Sequence, residues 1–573
     1  MLDARMVLSA LVDGDYSDTA RHKRGEQRPI APPLDAKKAL NLLQEHVASL
    51  GEGASLEVLQ VRQDLWRAAL NAARESPGLF ELEAPTGSGK TLAMLGFALK
   101  HMLTHEKRFG LKKIIVALPF LSILDQTVKV YRKALQSLAA ELLEHHSLAE
   151  WRRPAEDDDQ SEARRMAEAF SEDWESPVII TTTVQLLESL FTSHPGASRK
   201  LCALSKSVVL LDEAQSIPQH LITPTLRAIS RLCHPDYGST VVVATATQPL
   251  FSRFATEVEL NEENIGWKPV PVAKREIGLY RRTRRYEPDW SRCRTEVSWE
   301  SIADELATKE RALCIVNTKK DARHLAELVI ERKPSAPVIH LSTNMCAAHR
   351  RKILDLACVA NRTAECLLIS TQCVEAGVDL DYPVVYRALA PLEAIAQAAG
   401  RCNRAGVGSG TVRVFLPEDA RYPGDRYEQG ALQTLSLLNE LGNLDPQEPE
   451  IFDQYFRRLY DLSADAGTSK KMERAINEAD FPQVAEIYRL IDRRFLLHVI
   501  VPYDGVPEIP YRLTSRFFRE VQPYVVDANR KDAAMSKWLG SPLPGTDDWY
   551  ALSDRIAYHD LFGLRLDEEL PIC

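Results

Sequence analysis

Between Leu79 and Thr247 the chain alternates short, almost purely apolar runs with longer stretches of helical periodicity: LFELE, IIVALP, VIITTT, VVLLDE and VVVATAT. Runs of Val, Ile and Leu without polar alternation suit strands buried on both faces, and crossovers long enough for a helix suit a parallel sheet. The pattern returns in ALCIVNT, PVIHLST, CLLISTQ, VVYRAL and TVRVFLP, which predicts a second α/β lobe in tandem with the first. After Pro417 the periodicity becomes more helical and less regular, with polar turns at YPGD and DPQEPE, predicting a mostly helical C-terminal accessory region. At the other end a short helix is followed by the basic, proline-bearing linker RHKRGEQRPIAPP. The predicted divisions are 1–34, a first lobe at 35–260, a second lobe at 261–425 and an accessory region at 426–573. The charged stretch RRPAEDDDQSEARRMAEAFSEDWES, between strands of the first lobe, predicts a solvated loop and helix.

Composition changes this picture little. At 573 residues the chain exceeds one core, since domains hold roughly 100–200 residues. A hydrophobic fraction of 45% and a charged fraction of 26% are those of an ordinary soluble globular protein. The ten cysteines, Cys202, Cys233, Cys293, Cys346 and Cys402 among them, show neither disulfide nor zinc spacing and read as reduced cytosolic thiols. The apolar run between Arg5 and Asp13 is short and flanked by acids, unlike a secretory signal, and no segment is expected to span a bilayer. A net charge of −9 argues against a surface that grips nucleic acid everywhere, leaving room for a local basic groove.

The chemistry concentrates in two strings. APTGSGKT, Ala84 to Thr91, lies between the strand LFELE and the helical LAMLGFALK. Strand, glycine loop and helix together form a phosphate cradle: Gly87 and Gly89 let several N–H groups turn toward one anion at a helix N-terminus. Pro85, Thr86, Gly87, Ser88 and Gly89 are the expected loop contacts, Lys90 reaches the β- and γ-phosphates, and Thr91 holds magnesium through its hydroxyl. LLDEAQ then supplies Asp212 and Glu213 after an apolar run. Alone, an Asp-Glu pair at a strand end more often caps the next helix. Beside this loop, Asp212 is expected to meet magnesium through water and Glu213 to orient and activate the attacking water. ATP and magnesium are therefore the expected cofactors.

DEAQ resembles the DExx-box of the superfamily-two helicases, and further motifs follow in that family's order. Gln63, in VRQDL, resembles the glutamine that reads adenine; TATQ, Thr245 to Gln248, resembles motif III. STQCVEAGVDLD resembles motif V, with Glu375, Gly377 and Asp379 as its recognisable points. QAAGRCNRAG resembles motif VI, and the spacing of Gln397, Gly400, Arg401 and Arg404 is expected to put both arginines on one helix face. Arg404 is assigned as the arginine finger and Arg401 as phosphate contact or lobe coupler, and Gly377, Asp379 and Gln397 join the nucleotide site. The resemblance implies two tandem RecA-like lobes that close on ATP.

Within that superfamily, IIVALPFLSILDQT, LLDEAQSIP, TATQPLF, STQCVEAGVDLDYP and QAAGRCNRAG resemble the Cas3 helicases of type I CRISPR interference. DFPQVAEIYRLID and WYALSDRIAYHDLFGL resemble that family's C-terminal region, so the likeness covers most of residues 50–573. The resemblance implies an ATP-dependent single-stranded DNA translocase, cytoplasmic, recruited by a Cascade-type surveillance complex. Family members commonly carry an N-terminal HD nuclease. Here MVLSALVDGDYSDT resembles its closing helix, with Asp13 at the position of the final metal-binding acid, so residues 1–34 read as a remnant and linker. No HD dyad precedes it, nuclease activity is not expected of this chain, and a separate HD nuclease subunit is admitted as a partner. His145 and His146 read as lobe surface or nucleic-acid-facing residues rather than metal ligands.

Pro119, Thr182, Thr183, Thr343 and Thr371 stand at predicted strand ends, where backbone and hydroxyl groups hold strand phosphates without reading bases. Each alone more simply caps a helix. Phe456, Tyr488, Phe495 and Tyr511 have the spacing of core residues. Two alternatives stand beside this reading: a superfamily-two helicase of DNA repair or RNA metabolism, and a nucleic-acid-binding protein with a degenerate motor.

Overall fold

The computed structural model describes residues 1–24, 31–50, 54–146, 174–247, 251–258, 263–363, 365–375, 377–462, 466–490, 496–530 and 538–566. Most of the predicted charged loop and helix, Gln248 of TATQ and Phe495 lie outside them. Packing divides the chain into two units, one of residues 1–146, 155–284 and 447–491, the other of 147–154, 285–446 and 492–573.

The first unit is built on a parallel sheet of β1 (Leu79–Glu83), β2 (Lys113–Leu118), β3 (Leu142–His145), β4 (Val178–Thr182), β5 (Ser207–Leu211), β6 (Thr240–Thr245) and β7 (Val270–Pro271), in the order β3-β4-β2-β5-β6-β1-β7. Every residue of β5 and β6 is buried, as strands covered on both faces require. Around the sheet lie α1 (Leu2–Arg24), α2 (Ala36–Ser49), α3 (Leu56–Ala72), α4 (Lys90–Phe109) and α5 (Leu121–Leu135). Phe80, Phe97, Leu99, Val116, Leu210 and Val242 belong to one continuous core between helices and sheet. α4 stops at Gly110, whose φ of +68° favours glycine and lets its N–H close on the Glu106 carbonyl. The helices 449–462, 466–477 and 481–487 belong to this unit. Tyr488 seals them in, stacked 3.8 Å from the Phe191 ring with its hydroxyl 2.6 Å from Thr225 Oγ1.

The second unit carries β8 (Tyr286–Val297), β9 (Arg311–Ile315), β10 (Val338–Leu341), β11 (Cys366–Ser370), β12 (Val384–Ala388) and β13 (Gly410–Pro417), a parallel sheet in the order β10-β11-β9-β12-β13-β8. The two α/β lobes expected from the hydrophobic pattern are thus present, and residues 425–441 add a helix to the second. The end of the chain brings a small sheet of β14 (Leu496–Ile500), β15 (Val525–Asn529) and β16 (Trp549–Ala551), then a hairpin of β17 (Tyr558–His559) and β18 (Gly563–Leu564). Phe456 and Tyr488 are core residues as their spacing suggests, whereas Tyr511 is fully exposed.

The hairpin sits hard against the loop after β10. Leu564 N–H donates to the Asn344 carbonyl at 2.7 Å, and a Cβ on Gly563, whose φ is +76°, would lie 2.3 Å from that oxygen. Backbone cannot step aside as a side chain can, so Gly563→Ala is expected to cost on the order of 3 kcal/mol. Chemical denaturation of the variant measures it; an unchanged midpoint would contradict the packing.

The most deeply buried histidines are His101 in the first unit and His340 in the second. His101 bridges the Ala73 carbonyl at 3.0 Å and Thr240 Oγ1 at 2.9 Å, and burial pushes its pKa down to about 4. His340, beside Ser342 Oγ, is pushed down to about 3 by the same cause. A folded-state pKa below the unfolded value means that stability is fully present above about 6.5 and is lost as pH falls through the folded values. The melting temperature should therefore fall between pH 6.5 and 4, and less steeply in His101→Gln; parallel profiles for both proteins would refute the assignment.

Candidate nucleotide site and its arginine loop

β1 delivers the chain into the glycine loop, where Gly87 and Gly89 adopt φ of +79° and +87°, conformations a side chain would strain. α4 then starts at Lys90 with Gly89 as its cap, leaving the first N–H groups of the helix turned toward the loop. Lys90 Nζ lies 2.7 Å from Asp212 Oδ1 and 3.0 Å from Glu213 Oε1. Burial opposes the ammonium's charge, but the two carboxylates outweigh it and hold the Lys90 pKa above its ordinary value. Asp212 is raised by its own burial, with Lys90 pulling the other way.

Glu213 sits at φ +51°, an uncommon conformation for a residue with a side chain, and its N–H donates to Asp212 Oδ1 at 2.9 Å. Its carboxylate also accepts from Gln215 Nε2 at 2.6 Å, and Thr245 Oγ1 donates to Gln215 Oε1 at 2.5 Å. A polar chain therefore runs from Thr245 at the end of β6 through Gln215 and Glu213 to Lys90. Gln215 carries that chain and is a site residue the sequence reading did not single out. The glycine loop is steadied from α3, where Arg62 Nε donates to the Gly87 carbonyl at 3.2 Å. Gln63, its neighbour, is exposed on the same helix.

These residues fit a magnesium nucleotide. Ser88 Oγ is buried in the loop with no hydrogen-bond partner among the described residues, a hydroxyl left for an acceptor that the protein does not provide. An ammonium, two carboxylates, the Thr91 hydroxyl and a helix N-terminus supply donors for phosphate and oxygen ligands for a hard cation.

In the second unit the motif VI residues do not share a helix face. The helix ends at Ala399 with Gly400 as its cap, and Arg401 and Arg404 lie in the turns that follow. Asn403, at φ +44°, breaks the helical path, and its side chain is tied to the Arg285 and Gly408 carbonyls at 2.8 and 2.9 Å. Arg401 is buried, donating from Nε to the Val374 carbonyl at 2.9 Å and from Nη2 to the Glu375 carbonyl at 2.7 Å. Arg404 is more open: Nη1 donates to the Val378 carbonyl at 3.1 Å and lies 3.5 Å from Asp379, while its backbone N–H is held by Asp381 at 2.7 Å. Gly377 has φ +76°, which turns the chain between Glu375 and Val378. Gln397 is half-buried on the helix 392–399.

Elsewhere the expectations fare unevenly. Asp13 Oδ1 lies 3.2 Å from the Arg199 guanidinium, an ion pair within the first unit. His146 is no surface residue: just past the end of β3, its ring is buried with Nε2 2.8 Å from Glu144 Oε1. Thr182 caps the helix 183–191 by accepting from Gln185 N–H at 3.1 Å, and Thr371 Oγ1 lies 3.4 Å from Cys373 Sγ. Thr183 Oγ1 is buried without a partner among the described residues, Thr343 is exposed and Pro119 is half-buried. The described cysteines are all free, and no described helix is long and apolar enough to cross a membrane.

Residues 64–253 match the family described as DEAD/DEAH box helicase, and residues 308–406 match CRISPR-associated nuclease/helicase Cas3, C-terminal. A CRISPR-associated nuclease/helicase Cas3 of Haloferax volcanii is 26% identical over 535 residues, covering 73% of this chain and 57% of that protein. The chain spans between 40% and 57% of the length of the curated relatives it matches. Among solved structures, T. fusca Cas3 with ATP superposes with a TM-score of 0.62 at 18% identity, covering 91% of this chain and 69% of that one. A chain of a CRISPR RNA-guided surveillance complex, pre-nicking, gives 0.53 at 17% identity, over 84% of this chain and 65% of that one. The helicase match on the first unit, the Cas3 match on the second and the curated relatives agree in supporting a Cas3-type superfamily-two helicase.

Proposed function

We propose that the chain hydrolyses ATP to move along single-stranded DNA, and that it does so in type I CRISPR interference after recruitment by a Cascade-type complex, in the cytoplasm. The observation that carries the motor is Lys90 clasped by Asp212 and Glu213 at the start of α4, with Glu213 wired to Thr245 through Gln215. Magnesium, held by Thr91 and through water by Asp212, would supply charge neutralisation on the triphosphate. Lys90 binds the β- and γ-phosphates, and the carboxylates it releases become free for their own work. Glu213, fixed by its left-handed backbone and by Gln215, orients the attacking water and takes its proton. Thr245 reports the state of that carboxylate to the end of β6. In the second unit Arg404 takes the part of the finger, and Arg401 is the residue that holds the motif V turn.

For the strand, the exposed Thr343 supports a phosphate contact that reads no bases. Binding should weaken with salt by about −0.7 in log–log slope per phosphate neutralised. A separate HD nuclease subunit is supported by α1. One face of that helix is fixed by Arg5, which donates to the Phe191 and Thr192 carbonyls at 3.0 and 3.2 Å, while Val7 and Leu11 stand exposed on the opposite face and Leu8 on its flank. The test is displacement of streptavidin from biotinylated oligonucleotides, DNA beside RNA, with and without a target-bound Cascade-type complex. ATP-dependent displacement from DNA, enhanced by the complex, is expected. Displacement from RNA alone would point to RNA metabolism, and none at all to a binding protein with a degenerate motor.

A further inference from the structure

An arginine inside a parallel-sheet strand is out of place: both faces of such a strand are covered, and a buried guanidinium must find a partner for each donor or destabilise the fold. Arg387, on β12, is fully buried; its Nε has no hydrogen-bond partner among the described residues, and its two amino groups carry all of its contacts. Its Nη1 donates to the carbonyls of Ile315 and Ala388 at 3.3 and 2.9 Å and to Asn317 Oδ1 at 2.8 Å. Its Nη2 donates to the Tyr427 hydroxyl and lies 2.9 Å from Glu375 Oε1.

Those partners come from four separate places. Ile315 ends β9 and Asn317 follows it by two residues, Ala388 ends β12, Tyr427 lies on the helix 425–441, and Glu375 follows the turn after β11. Glu375 is also the residue whose carbonyl, with that of Val374, holds the Arg401 guanidinium. Asn317 adds two more links, donating from Nδ2 to the Leu389 carbonyl at 2.8 Å and accepting at its own carbonyl from Gln372 Nε2 at 3.0 Å. One guanidinium therefore ties the ends of the central strands to the segment that carries Arg401, and through it to the turn that carries Arg404.

We propose that Arg387 is a positioning residue for nucleotide hydrolysis: by pinning Glu375 from beneath, it keeps the motif V turn and the arginine loop resting on it in the register that turnover requires. This rests on the proposed ATPase activity. Arg387 touches neither nucleotide nor strand in this scheme; it acts through Glu375 and Arg401. The planar fork of two amino groups is what the role needs, since a lysine would keep the charge but could not serve four segments at once.

The experiment measures ATP turnover, with single-stranded DNA present, in the full chain and three variants. Arg387→Met strands Glu375 in the interior and is expected to melt earlier. Arg387→Lys keeps the ion pair, and the double variant Arg387→Met with Glu375→Met removes both charges, so both are expected to melt close to the parent. In these two, kcat should fall about 10- to 100-fold with KM for ATP changed less than about 3-fold, because the glycine loop lies in the other unit. Parental kcat in the well-folded double variant would overturn the proposal, leaving the pair a matter of burial alone. Equal loss in KM and kcat would also overturn it, as the mark of a general structural defect. A parent chain with no ATP turnover would instead sink the underlying reading, and this proposal with it; a parent active beside an active double variant sinks the proposal alone.

Discussion

Lys90→Ala is expected to abolish ATP turnover, by at least about 10³-fold, and to lower the stability of the nucleotide-free protein at the same time. Both effects follow from one geometry. With 10% of its side chain exposed, the ammonium neutralises Asp212 at 2.7 Å and Glu213 at 3.0 Å. Without it the two acids face each other in a buried site, where one must take up a proton or the site must open. The loss should be on the order of 2–3 kcal/mol, with the circular dichroism of the folded protein retained. Glu213→Gln is the informative contrast: it keeps the Lys90 contact with Asp212, so it should bind ATP and melt near the parent while failing to hydrolyse. Turnover by Lys90→Ala at a parental rate would remove Lys90 from the mechanism.

Arg404→Ala is expected to lower kcat by about 10²- to 10³-fold with nucleotide affinity nearly unchanged, the pattern of a group that acts on the charge developing in the transition state. Its other contacts are inexpensive to lose. The ion pair with Asp379 is 3.5 Å long and Asp379 is 55% exposed, a setting in which such pairs contribute about 0–1 kcal/mol. The variant should therefore melt within a few degrees of the parent. Arg401→Ala should behave differently, because its guanidinium is buried on the Val374 and Glu375 carbonyls and its removal leaves both unsatisfied. Single-turnover hydrolysis beside thermal melts separates the two arginines. If Arg401→Ala melts normally and loses catalysis while Arg404→Ala keeps it, the finger is Arg401.

What could be read in the sequence was what a buried parallel strand imposes. β1, β2, β4, β5 and β6, and later β9 to β13, are apolar runs because both their faces are covered. β8 escaped notice for the opposite reason: it is an edge strand, its YEPDWSRCRTEV pattern alternates irregularly between core and solvent, and Pro288 and several charges disguise it. β7 and β16 to β18, of two or three residues, are too short to announce themselves. The C-terminal region mixes helices with this small sheet, and packing distributes it between both units, a long-range outcome no local pattern encodes.

At the candidate site, the glycine loop and the Asp212–Glu213 pair were legible because phosphate chemistry constrains residues that are close in sequence. The arginine loop was legible as a motif but not as a shape. Gly400 and Asn403 are both helix-ending residues, and weighing them would have placed Arg401 and Arg404 beyond the helix. Gln215, Arg62, Asn317 and Tyr427 act through contacts across the fold and carry no local signal. Arg387 did carry one: a charged residue inside the apolar run VVYRALA is the kind of exception that asks for a partner.

The most direct test of the motor is steady-state ATP hydrolysis by the full chain with magnesium, alone and with single-stranded DNA or single-stranded RNA. Hydrolysis that DNA stimulates strongly, that RNA does not, and that Lys90→Ala eliminates is the predicted result. No hydrolysis under any condition, or hydrolysis that survives the loss of Lys90, would contradict it.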